Sequence, residues 1–363
     1  KIYIIDEAHH LPIVARDFSS GQATLRGACD WLDKASKTCS KLQNQLKTNN
    51  IIAPVQAMLD HITDIISLLN QVAHFCDTQP QFFANPETRW RFEHGQLPQS
   101  LTIQSENLAT ATGSGLKQFN KVVAVVSEAI KDGEVPKHQS EGLLSETGFI
   151  LQRIENLHKV WKMIAKEDNK KGAPTARWIE LITGKQQDYL VSASPIEVGF
   201  MLESMLWQKA AGVVLCSATL RALNNFNHFA HQVGLSTNDG SRFLALQSPF
   251  DYENNATLFI PQMDNEPTDE DYTAELATQI IALIDGEMAS LVLFASYWQM
   301  EKVAELVEGK IPASQLFIQG TMPRQQILSQ HKQRCDDGEP SIIFGTGSFS
   351  EGLDLPGDYL TNL

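Results

Sequence analysis

Asp6-Glu7-Ala8-His9 stands directly behind the apolar run Ile2-Tyr3-Ile4-Ile5. A short buried strand that ends in two adjacent carboxylates suits phosphate chemistry. The first carboxylate can order a divalent cation, usually through water, and the second can take a proton from a water attacking a phosphoryl group. His9 then sits where it could relay the state of a bound phosphate to a neighbouring strand, or simply cap the turn. An ordinary strand end running into a solvated acidic turn has the same four letters, so the tetrapeptide alone leaves both readings open.

Two later segments narrow the choice. Val213-Val214-Leu215-Cys216 is a second buried-strand pattern, and it runs into Ser217-Ala218-Thr219-Leu220. In α/β folds ligands sit outside the carboxyl ends of strands, where Ser217 and Thr219 can exchange hydrogen bonds as phosphate arrives and leaves. Ser341-Ile342-Ile343-Phe344 is followed by Gly345-Thr346-Gly347-Ser348-Phe349-Ser350-Glu351-Gly352-Leu353-Asp354-Leu355-Pro356-Gly357, a strand opening into a loop dense in Gly and Ser with two acids. Glycines there let backbone amides approach a phosphate closely; a Gly/Ser turn with no ligand is the plain alternative.

In this order the three segments resemble motifs II (a D-E-A-H box), III and V of superfamily 2 helicases. They resemble most of all the XPD/DinG group, with its S-A-T-L and S-F-x-E-G-x-D motifs, and within it the bacterial DinG branch. Gln247-Ser248-Pro249-Phe250 is similar to that group's entry to the second motor domain, Leu291-Val292-Leu293-Phe294-Ala295-Ser296-Tyr297 to motif IV, and Gln319-Gly320 with Pro323-Arg324 to the next marker. The resemblance covers most of 1–20 and 195–363 and is weak between about 20 and 190.

It implies an α/β fold of RecA-like parallel-sheet motor domains: a partial domain 1 (1–20 and 195–242), most of domain 2 (243–363), and a mainly helical arch-like insertion at 21–194. It implies ATP and Mg²⁺ as cofactors, with Asp6 holding the cation, Glu7 as the base and His9 as the relay. Ser217, Thr219, Asp354 and Glu351 would couple nucleotide to DNA. Phe294, Ser296, Gln319, Gly320 and Ser348 would touch the sugar–phosphate backbone, which positions a strand without reading its sequence. The implied activity is ATP-driven 5′-to-3′ translocation on single-stranded DNA in repair or replication. Forked or RNA–DNA hybrid structures are the implied substrates, and a single-strand-binding protein is a candidate partner.

No G-x-x-x-x-G-K-[ST] phosphate loop and no Q-x-x-G-R-x-x-R motif occurs in the 363 residues. The chain is therefore expected to be an internal fragment of a helicase, from motif II to motif V, inactive as an ATPase by itself. Two rivals stay open: a non-catalytic nucleic-acid-binding or scaffold module derived from a helicase, and a helicase fused to an upstream nuclease.

Composition agrees with a globular protein: 42% of residues are hydrophobic and 20% charged. No apolar run approaches the roughly 20 residues that span a bilayer, and the N-terminal residues do not read as a signal peptide; a cytoplasmic protein with no membrane partner is the expectation. Cys29, Cys39, Cys76, Cys216 and Cys335 form no C-x-x-C pair and fit no iron–sulfur signature. Relatives that carry such a cluster hold it on a domain preceding motif II. The net charge of −14 is unhelpful to a DNA-tracking groove, but it is unevenly spread. Asp264 to Glu287 holds eight acids and no Lys or Arg, whereas Arg153 to Lys185 holds eight basic residues, Lys170 and Lys171 included, against four acids. Trp161 and Trp178 in that basic stretch could stack bases or pack in a core.

Apolar steps of three and four over Ile51–Cys76 predict a long amphipathic helix. A helix is also expected from Leu11, loop and short extended pieces over 82–101 around Pro86, helices over 119–130 and 150–164, and some strand within 178–191. Pro195 reads as a helix start. Beyond Phe243 the expected order is strand 256–260, helix 272–285, strand 290–296, helix 298–308, strand 315–318, helix 322–335 and strand 341–345, a βαβ rhythm that calls for a parallel sheet covered on both faces.

Overall fold

The structure, a computed structural model, describes residues 1–46, 49–83, 89–168 and 172–363. Pro86, Lys170 and Lys171 lie outside the described residues. The chain divides into two units, Lys1–Ala245 and Leu246–Leu363.

The first unit opens with β1 (Ile2–Ile5), a 3₁₀ turn at Ala8–His10 and α1 (Leu11–Ser19), whose Pro12 occupies the first turn, where a missing N–H costs no bond. Then come β2 (Gly21–Thr24), α2 (Leu25–Gln45), α3 (Ile52–Asp77), β3 (Arg89–Arg91), α4 (Gln99–Lys131), α5 (Lys137–Ala165), β4 (Thr175–Ile182) and β5 (Asp188–Pro195). The unit closes with α6 (Gly199–Leu202), which runs into a π-helical turn at Glu203–Trp207, then β6 (Gly212–Leu215) and α7 (Asn227–Val233).

Between Gly21 and Pro195 the strands make an antiparallel sheet ordered β2-β5-β4-β3. Successive helices from α2 to α5 pack side by side. Their shared core includes Leu32, Met58, Ile62, Leu108, Phe119, Ile154 and Trp161 from the helices and Ile179, Tyr189 and Val191 from the sheet. α3 buries Val55, Met58, Ile62, Ile65, Leu69, Val72 and Cys76, the stripe its spacing predicts. Among the described residues it alone is long and apolar enough to cross a bilayer, yet that stripe faces α2 and α4.

α4 begins twenty residues before the expected 119, and α5 thirteen before 150. The early turns bury polar letters in the apolar stripe: Ser105 Oγ donates to Leu101 O at 2.6 Å, Thr112 Oγ1 to Leu108 O at 2.6 Å, and Thr147 Oγ1 to Leu143 O at 2.7 Å. A hydroxyl satisfied by the preceding turn packs like a small apolar group, so hydrophobic periodicity does not register it. The strand content expected over 178–191 is a hairpin of two eight-residue strands. Pro195 ends the second of them and does not start a helix; it pairs with Thr175 at the rim, where a residue lacking N–H is tolerated.

β1 and β6 form a separate two-stranded parallel sheet, with Ile2 opposite Gly212 and Ile5 opposite Leu215. Their core holds Ala8, Ala15, Val198, Leu202, Phe229 and Val233. Gly199 and Gly234 touch there: a Cβ on Gly199 would lie 2.7 Å from Gly234 Cα. β1 is less buried than its letters predict, Ile2 and Ile4 being 73% and 75% exposed on one face of the two-stranded sheet.

The second unit contains α8 (Tyr252–Asn255), α9 (Tyr272–Ile284), β7 (Ala289–Leu293), α10 (Tyr297–Leu306), β8 (Leu316–Ile318), α11 (Arg324–Asp336) and β9 (Ser341–Gly345). The three strands are parallel, with β9 between β7 and β8. Alternation along β9 sends Ile342 and Phe344 to one face, with Ala277 and Ile280 of α9 and Met300 and Val303 of α10. Ile343 goes to the other face, with Leu291, Phe317, Phe349 and Ile327 of α11. The expected strand at 256–260 does not form; Leu258, Phe259 and Ile260 are exposed. No described strand pairs with this segment, and an unpaired strand leaves its backbone groups to water.

Candidate active site

The parallel register of β1 and β6 brings the ends of both strands together. Cys216 N donates to Ile5 O at 3.0 Å and Ala8 N to Cys216 O at 3.0 Å, so the acidic turn and the Ser-Ala-Thr turn are laced by backbone. Ala8 is fully buried and anchors the turn, while Asp6 and Glu7 before it are exposed. Glu7 has φ +47°, in the left-handed region that a non-glycine residue seldom occupies. Such strain, typically about 1–3 kcal/mol, persists only where neighbours hold it. Here the Glu7 amide donates to Asp6 Oδ1 at 2.9 Å.

Glu7, His9, Ser217 and Thr219 form one network. His9 Nδ1 lies 2.8 Å from Ser217 Oγ and 3.3 Å from Glu7 Oε2. Ser217 Oγ donates to Glu7 Oε2 at 3.2 Å and accepts from Thr219 N at 3.2 Å. A proton on His9 Nδ1 satisfies these contacts in one direction, from His9 to Ser217 to Glu7. Asp6 Oδ1 also faces the Cys216 thiol at 3.5 Å. Desolvation first, then that hydrogen bond, pushes the thiol pKa up, which keeps Cys216 neutral beside the two carboxylates. Asp6 Oδ2 has no hydrogen-bond partner among the described residues. An exposed carboxylate oxygen at a strand edge suits Mg²⁺, which takes oxygen ligands and is usually bound through one or two carboxylates together with water and phosphate.

The second unit has its own strand-end cluster, centred on Gln319. Its backbone N–H continues the ladder to Phe344 O at 2.9 Å. Its Oε1 accepts from Thr346 N at 2.7 Å and Thr346 Oγ1 at 3.0 Å, and its Nε2 donates to Ser348 Oγ at 2.7 Å and to the Tyr297 hydroxyl. Ser296 caps α10, accepting from Gln299 N at 3.2 Å. Gly320 has φ +96°, a conformation that favours glycine. Arg324 reaches back to the loop, donating through Nη2 to Glu351 O at 2.8 Å and Gly352 O at 2.9 Å, over the ring of buried Phe349. Asp354 is exposed.

Phe294 departs from its expected role. It is 6% exposed and meets Phe344 edge-on at 5.1 Å, so it packs the core and cannot touch a DNA backbone. Trp161 is fully buried among the helices and is likewise unavailable for stacking. Thr346, Tyr297 and Arg324, which fall within the sequence motifs without an expected role there, are the further partners at this edge. Thr346 was legible as the hydroxyl of Gly-Thr-Gly; the other two lie on helices whose direction only the fold sets.

Burial sets the state of the three cysteines in the helical part of the first unit. Cys39 and Cys76 are buried in the helical core, where desolvation raises each thiol to about 12, and Cys29 is raised to about 11 for the same first reason.

A family described as Helicase C-terminal domain matches residues 278–363. The whole chain aligns at 46% identity with the ATP-dependent DNA helicase DinG of Photobacterium profundum, covering 52% of that protein. It aligns at 30% identity with the proteins of the same name from Salmonella typhimurium and Escherichia coli, covering 51% of each. The chain thus spans about half the length of the curated relatives it matches. Over that whole span it is homologous to the DinG ATP-dependent DNA helicases.

Proposed function

We propose that the full-length protein is an ATP-dependent DNA helicase that moves 5′-to-3′ along single-stranded DNA, acting on forked or RNA–DNA hybrid structures in repair or replication in the cytoplasm. The observation that most supports this is the register of β1 and β6, which sets Asp6-Glu7 beside Ser217 in a chain homologous to DinG helicases. When bound, Mg²⁺ would neutralise phosphate charge, with Asp6 holding it through water. Glu7 takes a proton from the water that attacks the terminal phosphate of ATP. His9 and Ser217 orient Glu7 through the network already described, and Thr219 with Ser217 carries the change in that network away from the carboxylates. In the second unit Ser296, Gly320 and Ser348 offer the polar strand ends along which a sugar–phosphate backbone is held, Gln319 fixes the loop that presents them, and Glu351 and Asp354 link that loop to nucleotide. Residues 21–194 are the arch-like insertion.

The test is Asp6→Ala in the full-length protein. ATP hydrolysis stimulated by single-stranded DNA is expected to disappear while the protein stays folded. Unchanged stimulated hydrolysis would overturn the assignment of the acidic pair.

A further inference from the structure

The antiparallel sheet of the first unit has two unlike faces. Trp90, Ile179, Val191 and Ala23 point to the helices and join the core. The opposite face carries Arg91, Trp178, Ser192 and Gln22 in one row, since Arg91 pairs with Trp178, Trp178 with Ser192, and Ser192 with Gln22. At the β3 end of this row lies an open groove of about 590 Å³, lined by Arg89, Arg91, His94, Ala176, Trp178 and Ile196 among others.

The charges around the groove are almost all matched. Arg89 donates through Nε and Nη2 to Glu180 at 3.1 and 2.9 Å. Buried Arg177 pairs with Asp168, whose carboxyl pKa is lowered by hydrogen bonds from Arg177 and Thr175 against desolvation. Glu93 lies 3.8 Å from His94. Arg91 is the exception: it is exposed, and its guanidinium makes no ion pair or hydrogen bond among the described residues. A charged edge strand can serve only to discourage pairing with another chain. That role needs no indole beside the arginine, and here Trp178 is half-buried next to Arg91, with Ile196 exposed on the same groove.

We propose that this groove holds one nucleotide of a single strand, its base against Trp178 and its phosphate on Arg91. A volume of 590 Å³ lies in the range of small-ligand sites. An aromatic platform beside a cation is how single strands are held without sequence preference. A duplex is the wrong ligand because its bases are stacked out of reach of an indole, and an acidic peptide would not use the indole. The inference rests on the reading above that the full-length protein tracks single-stranded DNA.

The experiment measures binding of oligo(dT) to the full-length protein by fluorescence anisotropy across a salt series, for the parent protein, Arg91→Gln, Trp178→Ala and Trp178→Phe. Arg91→Gln is expected to reduce the slope of log K against log[salt] by about 0.7, the single-strand counterion release for one phosphate. Trp178→Ala is expected to weaken binding about 5- to 150-fold, and Trp178→Phe to restore most of it, which a merely misfolded variant would not do. If the parent protein binds oligo(dT) and the variants match it in affinity and slope, the groove assignment falls and the helicase reading stands. If the parent protein does not bind oligo(dT) at all, both fall. Displacement of the oligonucleotide by poly-glutamate that depends on Arg91 and not on Trp178 would mark a general anionic surface and overturn the nucleotide site.

Discussion

The two strand-end clusters use similar residue types to opposite ends. At the β1/β6 edge the hydrogen bonds run toward a carboxylate: His9 and Ser217 converge on Glu7, and Asp6 keeps an oxygen open. At the β8/β9 edge they close on themselves, because both ends of the Gln319 amide are occupied by Thr346, Ser348 and Tyr297. The first edge leaves hydrogen-bonding capacity open, and the second spends its own on holding a loop in one shape. A side chain at a strand end therefore does not declare its role by type; what counts is whether its hydrogen-bonding capacity is already consumed.

The comparison is broken most directly by substituting its two centres. Glu7→Gln keeps the size and removes the base, so hydrolysis stimulated by single-stranded DNA in the full-length protein should fall about 10²- to 10⁴-fold. Because Glu7 is exposed, thermal stability should stay within about 0.5 kcal/mol of the parent protein. Gln319→Ala should do the reverse in stability. It leaves the nearly buried Thr346 amide without its acceptor, at a cost of about 1–3 kcal/mol. The loss should appear as a lower Tm and faster hydrogen exchange over 346–352. A Gln319→Ala protein as stable as its parent would mean that the loop is not held by this amide. Smaller still, Ser217→Ala should remove one hydrogen bond to Glu7, worth about 1 kcal/mol, and so lower the stimulated rate about fivefold. A loss as large as that of Glu7→Gln would make Ser217 more than an orienting group.

Much of this arrangement is legible in the sequence, and what is not has identifiable causes. The parallel strand pairs follow from short β-branched runs with polar carboxyl ends, and Ser217 was identifiable because hydroxyls there have few structural duties. Phe294 turns inward because alternation carries on past the end of β7 and puts it on the face of Val292, so a strand-end position does not by itself mean exposure. The early halves of α4 and α5 escaped notice because Ser105, Thr112 and Thr147 sit on buried faces with hydroxyls satisfied locally. Within the acidic run at 264–287, Glu275 accepts from Asp264 N at 2.6 Å and Asn265 N at 2.9 Å and so caps a turn. Those backbone donors hold its carboxyl pKa below the usual range. Local hydrogen bonding of this kind depends on where the backbone passes, which spacing alone does not reveal.

The closed character of the second cluster extends to a buried histidine behind it, and this gives the gentlest test. His331 of α11 is fully buried; its Nδ1 lies 2.7 Å from Ser341 Oγ and its Nε2 2.7 Å from Tyr359 O. The carbonyl can only accept, so Nε2 carries the proton and Nδ1 accepts from the Ser341 hydroxyl. A second proton, on Nδ1, would require that hydroxyl to turn and accept instead. Desolvation, with Lys332 as a further positive neighbour, lowers the pKa from the ordinary 6.5 in spite of the opposing bond to Tyr359 O, and the Cys335 thiol 3.9 Å away offers no charge to compensate. The folded state thus binds fewer protons than the unfolded chain once pH drops toward 6.5. This contribution to stability is complete above about pH 6.5 and is lost as pH falls through that value toward the lowered one. Melting curves between pH 7.5 and 5.5 should therefore show a smaller decline in Tm for His331→Asn than for the parent protein, at a lower Tm overall. Parallel declines in the two proteins would mean that His331 accepts its second proton as readily when folded as when unfolded, and that the strands behind the glycine-rich loop are less tightly sealed than the first cluster's open edge makes them look.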